Sequence, residues 1–253
     1  MFLLLVAILF FLGIIFISLS MMGGGLLALI SLFILHTSVV KYRSFTALFI
    51  AFLLSFLLFQ YTNNHIDEWD ISVEIKTLIN RSLLIVIIAG LVFTQMFYKQ
   101  KIDLFSRLPK WNSRITLPFH TIKVTYFFLI GLTVSSSILI PLFVYQGMSY
   151  VKSMLLFGIL FALINATLEE IIWRGILLSS IKRSVSTFYA VVITSLGFGL
   201  LHMSIGIPIM ISLLFSFGGL FYAIVVLKTN SIYPAIIFHI VINLGMVFNG
   251  WII

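Results

Sequence analysis

"SMLLFGILFALINATLEEIIWRGILLSSI", residues 153–181, decides how the chain is read. The run is apolar for longer than the roughly 20 residues that a helix needs to cross a bilayer. Near its middle, however, it carries Glu169, Glu170 and Arg174. An ionised side chain at the centre of a membrane helix costs about 2.5–3.5 kcal/mol on insertion scales. A span that keeps three of them must compensate each, and ionisable residues at that depth mark functional sites by default.

The rest of the chain sets the context. Of its 253 residues, 62% are hydrophobic and only 9% are charged, with a mean hydropathy of +1.23. Soluble domains are near half apolar and a quarter charged, so this composition excludes one. Apolar runs recur at 2–20, 26–40, 45–61, 82–98, 126–147, 153–181, 189–203, 208–227 and 232–252. They are continuous rather than alternating at period two, which predicts helices and argues against a barrel. The expected fold is an all-α polytopic membrane protein of eight or nine transmembrane helices, with a membrane-embedded polar cavity. Residues 1–125 supply the N-terminal helices and a basic cytoplasmic loop, and 126–253 a helical core, together one integrated membrane domain. Pro141, inside a run, is expected to kink its helix. The first twenty residues lack a basic n-region and are too long for a signal-peptide core, so they read as a retained span. With no cysteine in the chain, disulfides, thiolate metal sites and a cysteine nucleophile are excluded.

Charge predicts orientation. With a cytoplasmic N-terminus, the inner loops hold Lys41, Arg43, Lys99, Lys101, Arg107, Lys110, Arg114, Lys123, Lys182, Arg183 and Lys228, and the outer loops Lys76, Arg81 and Lys152. That is a positive-inside bias. The net charge of +8 therefore reads as juxtamembrane anchoring to membrane lipids and not as a nucleic-acid surface. The basic loop 99–125 is expected to lie on the membrane surface as a partly amphipathic segment. Asp67, Glu68, Asp70, Glu74 and Asp103 fall in loops, which leaves Glu169 and Glu170 as the acids within the membrane.

On an α-helix Glu170 and Arg174 are i,i+4 and can pair. Glu169 is rotated by about 100° from Glu170, and its own i+4 residue is Trp173. An unpaired carboxylate needs partners from other helices or takes up a proton. Later runs offer them: Phe198 and His202 are i,i+4, and so are His239 and Asn243. Carboxylate plus imidazole can deprotonate a water, while a second imidazole and an amide can stabilise an oxyanion. A purely structural polar cluster fits the spacing equally well. His36, alone in its run, reads as a packing hydrogen bond. His202 sits at the end of its apolar run and Glu169 at the middle of its own, so a meeting of the two requires irregular backbone at depth, lining a cavity.

EExxxR at Glu169-Glu170…Arg174, FxxxH at Phe198…His202 and HxxxN at His239…Asn243, in that order, resemble the CPBP family of intramembrane glutamic proteases. This is the Abi group, with type II CAAX prenyl endopeptidases and bacteriocin-processing enzymes. The resemblance covers about residues 150–250. It implies that Glu169 is the general base, that His202 helps to bind and activate the water, and that His239 and Asn243 form the oxyanion hole. Glu170, Arg174 and Phe198 are then supporting residues, and no cofactor is required. On donor chemistry alone, Glu169, His202 and His239 also suit a zinc ion with an open position, although no HExxH is present. The implied substrate is a hydrophobic peptide or membrane protein, cleaved in a bacterial cell membrane. The alternatives are a bacteriocin self-immunity protein and a non-catalytic membrane scaffold or regulator.

Overall fold

The computed structural model describes residues 1–117 and 120–252. In chain order the elements are α1 (Phe2–Ser18), α2 (Met22–Ser38), α3 (Arg43–Asp67), α4 (Val73–Ser82), α5 (Leu84–Phe97), β1 (Arg114–Leu117), β2 (His120–Lys123), α6 (Val124–Gln146) and α7 (Met148–Glu170). A π-helical stretch (Ile171–Leu178) follows, then α8 (Ser179–Ser184), α9 (Thr187–Leu201), α10 (Ile209–Thr229) and α11 (Tyr233–Phe248). Among the described residues six helical passages are long and apolar enough to span a membrane: Val40–Asp67, Val73–Phe97, Val124–Gln146, Met148–Ser184, Thr187–Ile205 and Ile209–Thr229. Shorter apolar helices are Phe2–Ser18, Met22–Ser38 and Tyr233–Phe248. This is a polytopic all-α membrane protein, with helices at each apolar run of the sequence.

Three expectations change. The fourth passage begins at Val73, not at residue 82, so Glu74, Lys76 and Arg81 are helical and not loop residues. α4 forms because Ser72 Oγ accepts from Ile75 N (3.4 Å) at its start and Leu78 packs into an apolar cluster. The span at 153–181 is not α-helical throughout: residues 171–178 are π-helical, with i→i+5 bonding. Finally, the basic loop does not run as an amphipathic segment. It buries Phe105 and closes into an antiparallel hairpin in which Ile115 faces Ile122 and Thr116 faces Thr121. Those β-branched pairs suit a pleated ribbon.

The chain forms two compact units. The first comprises Met1–Glu68, Leu83–Leu104 and Ile171–Ala223. Its core is aromatic: Phe10 stacks on Phe49 at 4.1 Å, and Phe52 meets Trp173 at 5.1 Å. Lipid tails are as apolar as these rings, so cohesion comes from close packing and small residues rather than from escape from water. Gly197 shows this. A Cβ there would lie 2.6 Å from the Trp173 ring, so only glycine lets α9 approach it.

The second unit comprises Trp69–Ser82, Phe105–Glu170 and Ile224–Ile253. α7 is its axis, packed by α4 and α11. Phe157, Phe161 and Val247 form a buried cluster, with Leu78, Met154 and Phe248 against it. Val247 and Phe248 cross α7 at Gly158, where even a methyl group would be tight at 3.2 Å. Backbone bonds from Lys110 N to Thr229 O (2.8 Å) and from Ile232 N to Phe105 O (2.9 Å) fasten the basic segment to the turn before α11.

Candidate active site

Two helix faces of the second unit carry polar residues at four-residue spacing. On α7 the buried row is Phe157, Phe161, Asn165 and Glu169, with Glu170 alongside. On α11 it is Ala235, His239, Asn243 and Val247. Each row continues the apolar contact that packs the helices, so packing itself brings carboxylates, imidazole and carboxamide together. Glu169 is 2% exposed, Glu170 0%, His239 3% and Asn243 4%.

His239 lies between the adjacent glutamates. Its Nδ1 is 3.1 Å from Glu170 Oε1 and its Nε2 is 3.7 Å from Glu169 Oε2. Neighbouring helical residues point about 100° apart, and the two nitrogens of one ring reach both. A carboxylate accepts, so Nδ1 carries the proton toward Glu170 and fixes the ring's orientation.

The other oxygen of Glu169 faces a cation from α4. Arg81 Nη1 is 3.8 Å from Glu169 Oε1 and donates to Asn165 Oδ1 at 3.5 Å. The carboxylate for which the sequence offers no local basic partner thus has one from 88 positions earlier. Arg81 belongs to the site, although the sequence reading puts it in an outer loop; its place at the edge of an apolar run hid it. Asn165, one turn before Glu169 in an apolar stretch, carried a legible signal.

Several buried polar atoms are left over. Among the described residues, Glu169 Oε2, Arg81 Nε and Asn243 Nδ2 have no hydrogen-bond partner. A buried orphan costs about 1–3 kcal/mol. Separations of 3.7–3.8 Å are too long for direct hydrogen bonds.

The remaining motif residues lie in the first unit. Arg174 is fully buried; its Nη2 donates to Gly219 O at 2.9 Å, and its guanidinium lies over Phe198 (4.6 Å) and Tyr222 (5.1 Å). His202 ends α9 and opens a short 3₁₀ turn, His202–Ile205. Its Nδ1 is 2.9 Å from Phe198 O; a carbonyl only accepts, so Nδ1 donates and Nε2 is the basic nitrogen of the neutral ring. The ring stacks on Phe215 at 4.5 Å. His36 contacts Thr46 Oγ1 (3.0 Å) and Tyr98 OH (3.2 Å), as a helix-to-helix hydrogen-bonding residue does.

Residues 151–245 match the model of a family described as Type II CAAX prenyl endopeptidase Rce1-like. No curated protein and no solved structure matches the chain. The matched segment contains the motif residues from Glu169 to Asn243, whereas Arg81 precedes it. Over that segment the chain is similar to the Rce1-like type II CAAX prenyl endopeptidases, in keeping with the family that its motifs resemble.

Proposed function

We propose that the chain is a membrane endopeptidase that hydrolyses an amide bond of a hydrophobic or membrane-associated peptide, using a water activated by Glu169. One observation carries this reading. Glu169 is buried with a guanidinium beside one oxygen and no hydrogen bond on the other. A carboxylate with a cation beside one oxygen and the other oxygen left to accept a proton is what a general base requires.

In the proposed reaction the water gives its proton to Glu169 Oε2 and its oxygen attacks the scissile carbonyl carbon. The family resemblance implies that His202 supports that water. The oxyanion is stabilised by Asn243 Nδ2 and by His239 Nε2. Donation from His239 Nε2 requires that nitrogen to carry a proton as well as Nδ1. When the C–N bond breaks, Glu169 returns the proton to the departing amine. Arg81 is a positioning residue that holds Oε1 and turns Oε2 toward the reaction, and Glu170 sets the ring of His239.

The reaction is metal-independent in this reading, because the Arg81 guanidinium opposes a second cation on Glu169. Glu169→Gln keeps the shape and removes the base. Reconstituted in vesicles with a fluorogenic hydrophobic peptide, it should lose turnover by about a hundred-fold or more while still accumulating as folded protein. Full activity of the purified variant overturns the assignment.

A further inference from the structure

We propose that the β1–β2 hairpin and the start of α6 form a binding site for the phosphate of an anionic phospholipid. The register places Arg114 directly opposite Lys123 and Thr116 opposite Thr121. Side chains alternate across a strand, so both cations and both hydroxyls share one face, while Ile115 is buried on the other. Like charges directly opposite each other destabilise a ribbon. Among the described residues neither Arg114 nor Lys123 has a carboxylate partner. An anion bridging the two relieves that repulsion, and the flanking hydroxyls add donors.

A cleft of about 410 Å³ opens there, lined by Arg114, His120, Thr121, Ile122, Lys123 and Tyr126. Its position selects the source of the phosphate. Lys123 is followed at once by α6, whose Leu129, Ile130, Val134 and Ile138 stand exposed as a lipid-facing helix does. The cationic face therefore sits where the apolar span begins, at the depth of headgroups, and Tyr126 occupies the aromatic position common at that boundary. The hairpin is held there by Val124 N to Ser113 O (2.8 Å) and by Thr125 Oγ1 to Trp111 O (2.8 Å).

The test reads lipid retention, not turnover, and so stands apart from the proposed activity. Full-length protein is equilibrated in detergent with equimolar phosphatidylcholine and phosphatidylglycerol, and retained lipid is counted by native mass spectrometry. Phosphatidylglycerol should be enriched. Arg114→Gln and Lys123→Gln should each lower that enrichment about five-fold, and roughly thirty-fold together. All four face residues are exposed, so these substitutions should not lower the unfolding temperature, and Arg114→Lys should retain the lipid. Lys99→Gln/Lys101→Gln removes the same charge elsewhere and should have no effect. Equal retention of the two lipids, or equal loss in the Lys99/Lys101 control, overturns the site. Displacement of the lipid by millimolar inorganic phosphate overturns the lipid as its ligand in favour of a free anion.

Discussion

Two arginines, one in each unit, have different surroundings: Arg174 is fully buried, while the Arg81 side chain is 12% exposed. Arg174 lies between the faces of Phe198 and Tyr222 and donates to a backbone carbonyl. Arg81 lies against the Glu169 carboxylate and the Asn165 amide. At position 174 the planar, delocalised shape of the guanidinium is used, which stacks on rings and forks to an acceptor. At position 81 the charge is used. The guanidinium at 174 is thus held between rings and on a carbonyl, whereas the one at 81 has a carboxylate on one side and an amide on the other.

The largest effect should come from Arg81→Met, which strands Glu169 as an uncompensated buried charge. Removing one member of a buried pair costs about 3–5 kcal/mol, read as a fall in thermal unfolding temperature. Arg81→Lys should recover most of that stability, because charge is what the position needs. Arg174→Lys should not, since lysine neither stacks nor forks. The contrast breaks if both lysine variants behave alike.

Asn243→Ala tests the oxyanion assignment beside the Arg81 pair. Loss of one oxyanion donor costs about 2.7–4 kcal/mol, on the order of a hundred- to a thousand-fold in kcat. KM should change little, as for an interaction made only in the transition state. A normal kcat with a raised KM makes Asn243 a substrate contact. Smaller again is Gly197→Ala beside Trp173, where overpacking should cost about 1–3 kcal/mol of stability. Its effect is read as a fall in thermal unfolding temperature.

The helices were legible because apolar runs in a membrane chain have few other solutions. Glu169, His239 and Asn243 were legible as candidates, because polar residues in such runs stand out and i,i+4 spacing puts them on one face. Arg81 was not. A charged residue at the edge of a run looks like the end of the membrane, and only the packing of α4 on α7 shows where it points. The π-helical stretch was equally hidden, because Ile171–Leu178 reads as an ordinary apolar helix and its widened turn leaves no mark on composition. The hairpin was obscured by its own charges: Arg114 and Lys123 drew attention to the membrane surface, while the register depends on Ile115 and Ile122.

The smallest expected effect is a null one, and it bears most directly on Arg81. Exhaustive chelation, with metal content checked by elemental analysis, should leave turnover unchanged. Two unit charges about 4 Å apart interact by roughly 4 kcal/mol at an effective dielectric constant of 20, and a divalent ion doubles that. A zinc ion on Glu169 would meet this repulsion from Arg81 unless the guanidinium moved away. Loss of activity on chelation, restored by stoichiometric zinc, would replace the carboxylate base with a metal-bound hydroxide and reduce Arg81 to a structural residue. Calorimetric titration of zinc into wild type and Arg81→Met separates the two cases. If Arg81 is the counter-charge of Glu169, its removal should create or strengthen zinc binding that the wild type lacks. If zinc is the native partner, the wild type should bind it tightly and Arg81→Met should gain little.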